Sequence, residues 1–316
     1  MMKRWNAAAL VLAGLLAAGP ALAADYGATV NLPTGTIMKF TIQRSRTVTR
    51  AGIARVPLAT ATFHYRLKID PNRYGYKVGV TFESMDPIPG MTPEEAASLQ
   101  KGAAYITGLE FQAGDDLAPA EIIDWASKAD GVVGLVADMT GVKRDNPAFE
   151  ALRNNFKAMS GQAAAEALLK EWTFPAMVQN LEIDLGPAST AEDTQSAGNG
   201  LKIKMVQSVQ LKSIDRLAGR AVIEFHNGVD PGSANALART TIEAGQAANP
   251  NYPTYTPAQL AVMKIEQSTD CTFEMDTRTG LARKSDCSES HSSIDQLGIV
   301  QRQVDHWIIT QELAAP

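Results

Sequence analysis

From Ala61 to Ile69 every odd position is apolar (Ala61, Phe63, Tyr65, Leu67, Ile69) and every even one is polar (Thr62, His64, Arg66, Lys68). Successive side chains of a β-strand point to opposite faces, so this order buries one face and wets the other. Asp70-Pro71-Asn72-Arg73 has the composition of a turn, and Tyr74, Tyr76, Val78, Val80 and Phe82 then alternate on a return strand. A second pair follows the same rule. Leu201, Ile203, Met205, Val209 and Leu211 share a parity, the chain turns over Asp215 to Gly219, and Ala221, Ile223 and Phe225 return. Hairpins with one oily and one wet face belong to an antiparallel sheet covered on one side.

The only two cysteines lie in a third hairpin. Cys271, Phe273 and Met275 alternate with Thr272, Glu274 and Asp276 before the turn Asp276 to Gly280, and Leu281, Ala282 and Arg283 begin the return. Folding the chain at that turn brings Cys271 and Cys287 opposite or one diagonal step apart, within reach of a disulfide. A metal centre would need more ligands than two thiols, and no CxxC or HxxxH set accompanies them. A structural disulfide is therefore expected, and with it an oxidising compartment.

The amino terminus agrees. Lys3 and Arg4 precede an apolar run from Ala7 to Ala18 and the small-residue site Ala21-Leu22-Ala23, the three-part form of a secretory leader with cleavage after Ala23. The run is shorter than the roughly 20 residues a bilayer span needs, and no second long run follows, so no stable membrane insertion is expected after cleavage. A periplasmic or secreted bacterial protein is the expectation. Removing the two leader cations takes the formal charge from −5 to −7. Basic residues are scattered, the nearest run being Arg44 to Arg50, which argues against a nucleic-acid partner.

Between the hairpins the pattern changes. Thr92-Pro93-Glu94-Glu95 starts a helix that Gly102 is expected to stop, with Thr92 and Glu95 forming a capping box. Tyr105, Leu109 and Phe111 return to strand texture, and Glu121 to Trp125 is expected as a return strand. Residues 126–173 form a helical insertion. There Asn146-Pro147 caps a helix whose Phe149, Leu152, Phe156 and Met159 recur at helical spacing, and Phe174-Pro175 ends it. Leu181 to Pro187 is expected as a short strand, Ala188 to Gly200 as a loop, and Ser233 as the start of another helix. Thr256-Pro257-Ala258-Gln259 is a second capping box, and 299–312 is a last strand. The expected fold class is α+β, mainly antiparallel β: a curved sheet or open half-barrel built from two similar halves, 24–125 and 174–316, around the insertion.

This layout of leader, long hairpin, helical middle closed by Phe174-Pro175, short strand Leu181 to Gly186 and late hairpin 273–285 resembles a group of uncharacterised secreted bacterial β-rich proteins. These are similar in turn to half-barrels of the periplasmic lipoprotein-carrier type. The resemblance implies a concave sheet under helices that holds lipid-like cargo. Its local motif, D-x-x-T-G-L at Asp276 to Leu281, is a hairpin turn without catalytic content.

Catalytic signatures are sparse. Ser98-Leu99-Gln100-Lys101 fits S-x-x-K and Arg278-Thr279-Gly280 resembles K-T-G, but Ser98 stands near the end of its helix and the intervening Ser-x-Asn matches only Ser233-Ala234-Asn235, at another helix start. None of the four histidines, His64, His226, His291 and His306, stands in a metal or triad motif, and there is no phosphate-cradling glycine loop. No catalytic residue, metal or cofactor is expected. The leading expectation is a non-enzymatic protein that binds an apolar ligand along Phe63, Tyr65, Leu67, Tyr74, Tyr76, Val78 and Phe82 in the first half and Leu201, Ile203, Met205, Ile223 and Phe225 in the second. The competing expectation is that the same residues fill a closed core, since packed interiors are the norm. An envelope interaction protein offering a sheet edge or the 146–172 helix to a partner, and a serine hydrolase, are the alternatives.

Overall fold

A chain that alternates oily and wet side chains over long runs must pair its strands with one another, and eleven strands do so here in one antiparallel sheet. The computed structural model describes residues 24–316 except 52, 142, 197–201, 249–253, 296 and 315–316. The expected leader, 1–23, and Leu201 lie outside the described residues.

The strands are β1 (Thr36–Arg50), β2 (Ile53–Asn72), β3 (Gly75–Met85), β4 (Glu110–Ala113), β5 (Pro119–Ile122), β6 (Ser189–Ser196), β7 (Lys202–Asp215), β8 (Arg220–Val229), β9 (Lys264–Asp276), β10 (Ala282–Ile294) and β11 (Val300–Leu313). The helices are α1 (Pro93–Ala104), α2 (Trp125–Thr140), α3 (Pro147–Lys157), α4 (Gly161–Leu168), α5 (Lys170–Ala176), α6 (Pro231–Ala248) and α7 (Pro257–Val262). The strand order is β5-β4-β3-β2-β1-β11-β10-β9-β8-β7-β6. The chain starts in the middle of the sheet, steps outward to β5, crosses through α2 to α5, and steps back from β6 until β11 lies beside β1. The first and last strands thus seal the centre, from Met38 opposite Leu313 to Arg50 opposite Gln301. The sheet is open, with β5 and β6 at its edges.

Several local expectations need correction. The first hairpin turns at Arg73 and Tyr74, because Asn72 still pairs with Gly75, whose φ of +119° only glycine adopts easily. Its first ladder, against β1, slips register twice opposite residues 55–61, where Pro57 has no N–H to give a neighbour. Helix α1 runs through Gly102 to Ala104. The expected return strand is β5, which ends at Ile122, and Trp125 opens α2. Phe174-Pro175 lies inside α5. Residues 181–187 make only two single bridges, Tyr26 to Ile183 and Leu185 to Leu211, whereas the expected loop after them contains β6. Pairing with β7 turned a polar run into a strand, a tertiary effect that residue propensity does not register. Helix α6 begins at Pro231, with the Asp230 carboxylate accepting from the Ser233 N–H. The capping boxes at Thr92 and Thr256 and the Asn146 cap form as expected.

Cys271 and Cys287 pair directly across β9 and β10, with Cα atoms 4.1 Å apart, and form the disulfide.

Candidate functional site

The register sorts the inner face of the sheet into rows that run across the strands. One row reads Phe63, Ile42, Ile309, Ser285, Phe273, Ile223 and Leu211, from β2 to β7. The next reads Ala61, Arg44, Trp307, Cys287, Cys271, Phe225 and Val209, and the third, from β1 to β7, Arg46, Asp305, Glu289, Thr269, Asn227 and Gln207. Two steps along the strands therefore take the inner face from oily to charged.

That cover is centred on α5. Trp172 lies flat on Phe40 of β1, with ring centroids 4.2 Å apart and planes within 3° of parallel, and its edge reaches Tyr65 at 5.3 Å and Phe111 at 6.3 Å. Phe174 packs on Trp307 of β11 at 5.0 Å. Burial of the Tyr65 hydroxyl under this cover, with Glu171 nearby, pushes its pKa well above the usual tyrosine range.

Beyond the aromatic rings the contacts turn ionic. Arg46 grips Asp305 through two nitrogens, one of them at 3.0 Å, and Gln303 donates to the same carboxylate at 2.7 Å. Arg44 reaches Glu171 at 3.3 Å, and Lys170 bonds Glu289. Arg44 and Lys170 also stand over the Trp307 ring, at 5.7 and 5.6 Å. Asp305 is only 4% exposed. Burial alone would raise both carboxyl pKa values. The Lys170 hydrogen bond and the nearby His291 outweigh it at Glu289 and hold that group at about 2, while Arg46 and Gln303 hold Asp305 below the usual carboxylate range. Beneath this layer Trp307 Nε1, Ser285 Oγ and Gln311 Oε1 are buried with no hydrogen-bond partner among the described residues.

The expected lining divides four ways. Tyr65, Leu67, Tyr76, Val78, Ile223 and Phe225 are buried in the central cluster, and Phe63 and Phe82 pack against it half-buried. Ile203 and Met205 are buried apart from that cluster, on β7 where α6 packs. Tyr74 is no lining residue: it sits in the turn, 64% exposed, with the Arg73 guanidinium 4.4 Å above its ring. The parity assigned to it failed because the turn falls at Tyr74 itself. Leu201 lies outside the described residues. Trp172, Phe174 and the charged row escaped the sequence reading, although Glu289 and Asp305 share parity with the buried Cys287 and Trp307, and an acid at inward parity is a readable signal.

Two clefts lie elsewhere. One of about 570 Å³ opens between α1, α2 and α3, where Asp130 bonds Arg153 at 2.8 Å and Asp138 bonds Lys101 at 2.9 Å. The other, about 370 Å³, is on the outer face of the sheet and contains two histidine–aspartate pairs, His226 with Asp270 at 2.6 Å and His306 with Asp286 at 2.7 Å. His64 meets Asp86 at 2.9 Å and His291 meets Glu289 at 3.6 Å, so every histidine faces a carboxylate. Among the described residues no group of three or more histidine, cysteine or acidic side chains is placed to hold a metal ion. Ser98 is exposed on α1 and Lys101 is engaged by Asp138, which leaves the S-x-x-K letters without a nucleophile and base in contact.

No protein-family model matches the chain, and no curated protein matches it. Among solved structures, an outer membrane channel from Pseudomonas putida F1 aligns over 91% of this chain and 98% of that chain at 6% identity, with a TM-score of 0.17. A likeness that slight carries no argument about fold or activity.

Proposed function

We propose that this is a non-catalytic binding protein of the cell envelope, whose inner sheet face takes an apolar ligand or segment in the place that Trp172 and Phe174 now fill. One observation carries the reading. Two large aromatic side chains from a seven-residue helix stand on the centre of an open sheet, and ion pairs at the rim fasten that helix. Such a short helix has little stability of its own, so its place depends on those contacts. A ligand with a comparable apolar body would compete for the same surface, and its polar end would meet Arg44, Lys170 and the unpartnered Trp307 Nε1.

Native mass spectrometry of the protein purified from an envelope extract, before and after solvent extraction, tests this. Expected is a lipid-sized mass increment that extraction removes, and stronger uptake of a fluorescent fatty acid by Trp172→Ala. Absence of any adduct, together with no uptake by either protein, would sink the proposal. A second reading, an envelope assembly protein that lends a strand edge to a partner, draws on β6, whose outer side has no strand neighbour among the described residues.

A further inference from the structure

Of the ten large hydrophobic side chains exposed among the described residues, six (Val48, Ile53, Val262, Ile265, Leu297 and Val300) sit at one end of the sheet. The other four, Tyr74, Leu185, Leu217 and Leu313, lie toward the opposite end or its turns.

The register explains how the six come together. Because β1 pairs with β11, the β1–β2 tip and the β10–β11 tip project side by side: Arg50 stands opposite both Ile53 and Gln301, and the Ala51 N–H donates to the Val300 carbonyl at 2.9 Å. Ile53 and Leu297, one on each tip, are each 71% exposed. Ile265 joins them from the start of β9, opposite Ser293.

The charges nearby are of a different kind from those on the inner face. Arg44, Arg46 and Lys170 each have a carboxylate partner, whereas Arg50, Lys264 and Arg302 form no ion pair among the described residues, the Arg302 Nε donating only to Ser290 Oγ at 3.2 Å. Of the carboxylates nearest the tips, Asp295 is committed to the N–H groups of Leu297 and Ile299, and Glu266 stands on the same face as Lys264 and Arg302, where it offsets one of the three cations. The end therefore stays net positive on a chain whose formal charge is −5.

We propose that this end of the sheet docks on an anionic lipid surface, with Ile53 and Leu297 entering the interface and Arg50, Lys264 and Arg302 facing the headgroups. Exposed apolar tips flanked by unpaired cations match a bilayer surface, which offers hydrocarbon behind a layer of negative charge. A lipid interface supplies both, the charge outside and the hydrocarbon behind it. The inference is independent of what the inner face holds.

Flotation of the mature protein with phosphatidylcholine vesicles, with and without an equal share of phosphatidylglycerol, is the test. Expected is recovery with the anionic vesicles that weakens as salt rises. Ile53→Asp with Leu297→Asp should weaken the partition about tenfold or more, and Arg50→Glu with Arg302→Glu should remove its salt dependence. Leu217→Asp, at the far end and 95% exposed, should leave it unchanged. Circular dichroism confirms that each variant is folded. Equal recovery of wild type and the Ile53/Leu297 variant, equal recovery with neutral vesicles, or loss on Leu217→Asp would each overturn the proposal. So would a dimer in sedimentation that the tip substitutions dissociate while vesicle recovery is nil.

Discussion

Trp172 and Phe40 lie face to face, 4.2 Å apart and 3° from parallel, although 132 positions separate them in the chain. The pair fixes α5 to the strand at the sheet's centre, and the charged row beside it is ordered by the same placement.

Replacing Trp172 with alanine should therefore cost about 3–5 kcal/mol, the range for removing a large buried aromatic side chain. Urea denaturation followed by far-UV circular dichroism would show the midpoint falling. A loss under about 1 kcal/mol would mean that α5 rests only loosely on the sheet.

The charged row makes stability depend on acid. Glu289 is held at about 2 in the folded chain, below the roughly 4.3 of a free glutamate. A depressed folded value means that the unfolded chain takes up the proton first as pH falls. The contribution is thus complete above about pH 5 and lost toward pH 2. With Lys170 half-exposed, solvent screening limits it to about 2 kcal/mol. Glu289→Gln should be less stable than wild type at pH 7 and nearly equal to it at pH 2, measured as urea midpoints across that range.

Asp305→Ala leaves Arg46 without its acceptor and Gln303 without its bond. Since the Arg46 side chain is 38% exposed, water takes over part of the solvation. The expected loss is about 1–2 kcal/mol, and double-mutant cycles with Arg46→Met should recover a coupling of the same sign. A zero coupling would show that the pair is incidental.

Reduction of Cys271–Cys287, sixteen positions apart, should cost about 3 kcal/mol through chain entropy. Equilibrium unfolding with and without dithiothreitol checks this, as does the Cys271→Ser, Cys287→Ser double variant.

Gly280→Ala should cost about 2–3 kcal/mol, because φ there is +70° and an added Cβ would lie 2.7 Å from the Thr29 carbonyl carbon and 2.8 Å from the Val30 nitrogen. The turn that the sequence marks as D-x-x-T-G-L also presses against the amino-terminal segment. If the thermal midpoint is unchanged, that close approach relaxes freely.

The sequence by itself determined the periodic parts of this protein. Period-two alternation specified the strands around Tyr65, Val78, Ile223 and Phe273 and the face each side chain takes, and a legible turn brought Cys271 near Cys287, with a bulge after Ala282 setting them directly opposite. Three helix starts were legible for a related reason, since a cap is satisfied within four residues of its own position. Tertiary structure decided what local rules do not reach. It set the turn at Arg73 and Tyr74, recruited the polar run 189–196 as β6, brought β11 beside β1 and laid Trp172 on Phe40. Those outcomes depend on which surface is left uncovered once every other element is in place, a quantity that belongs to the whole sheet.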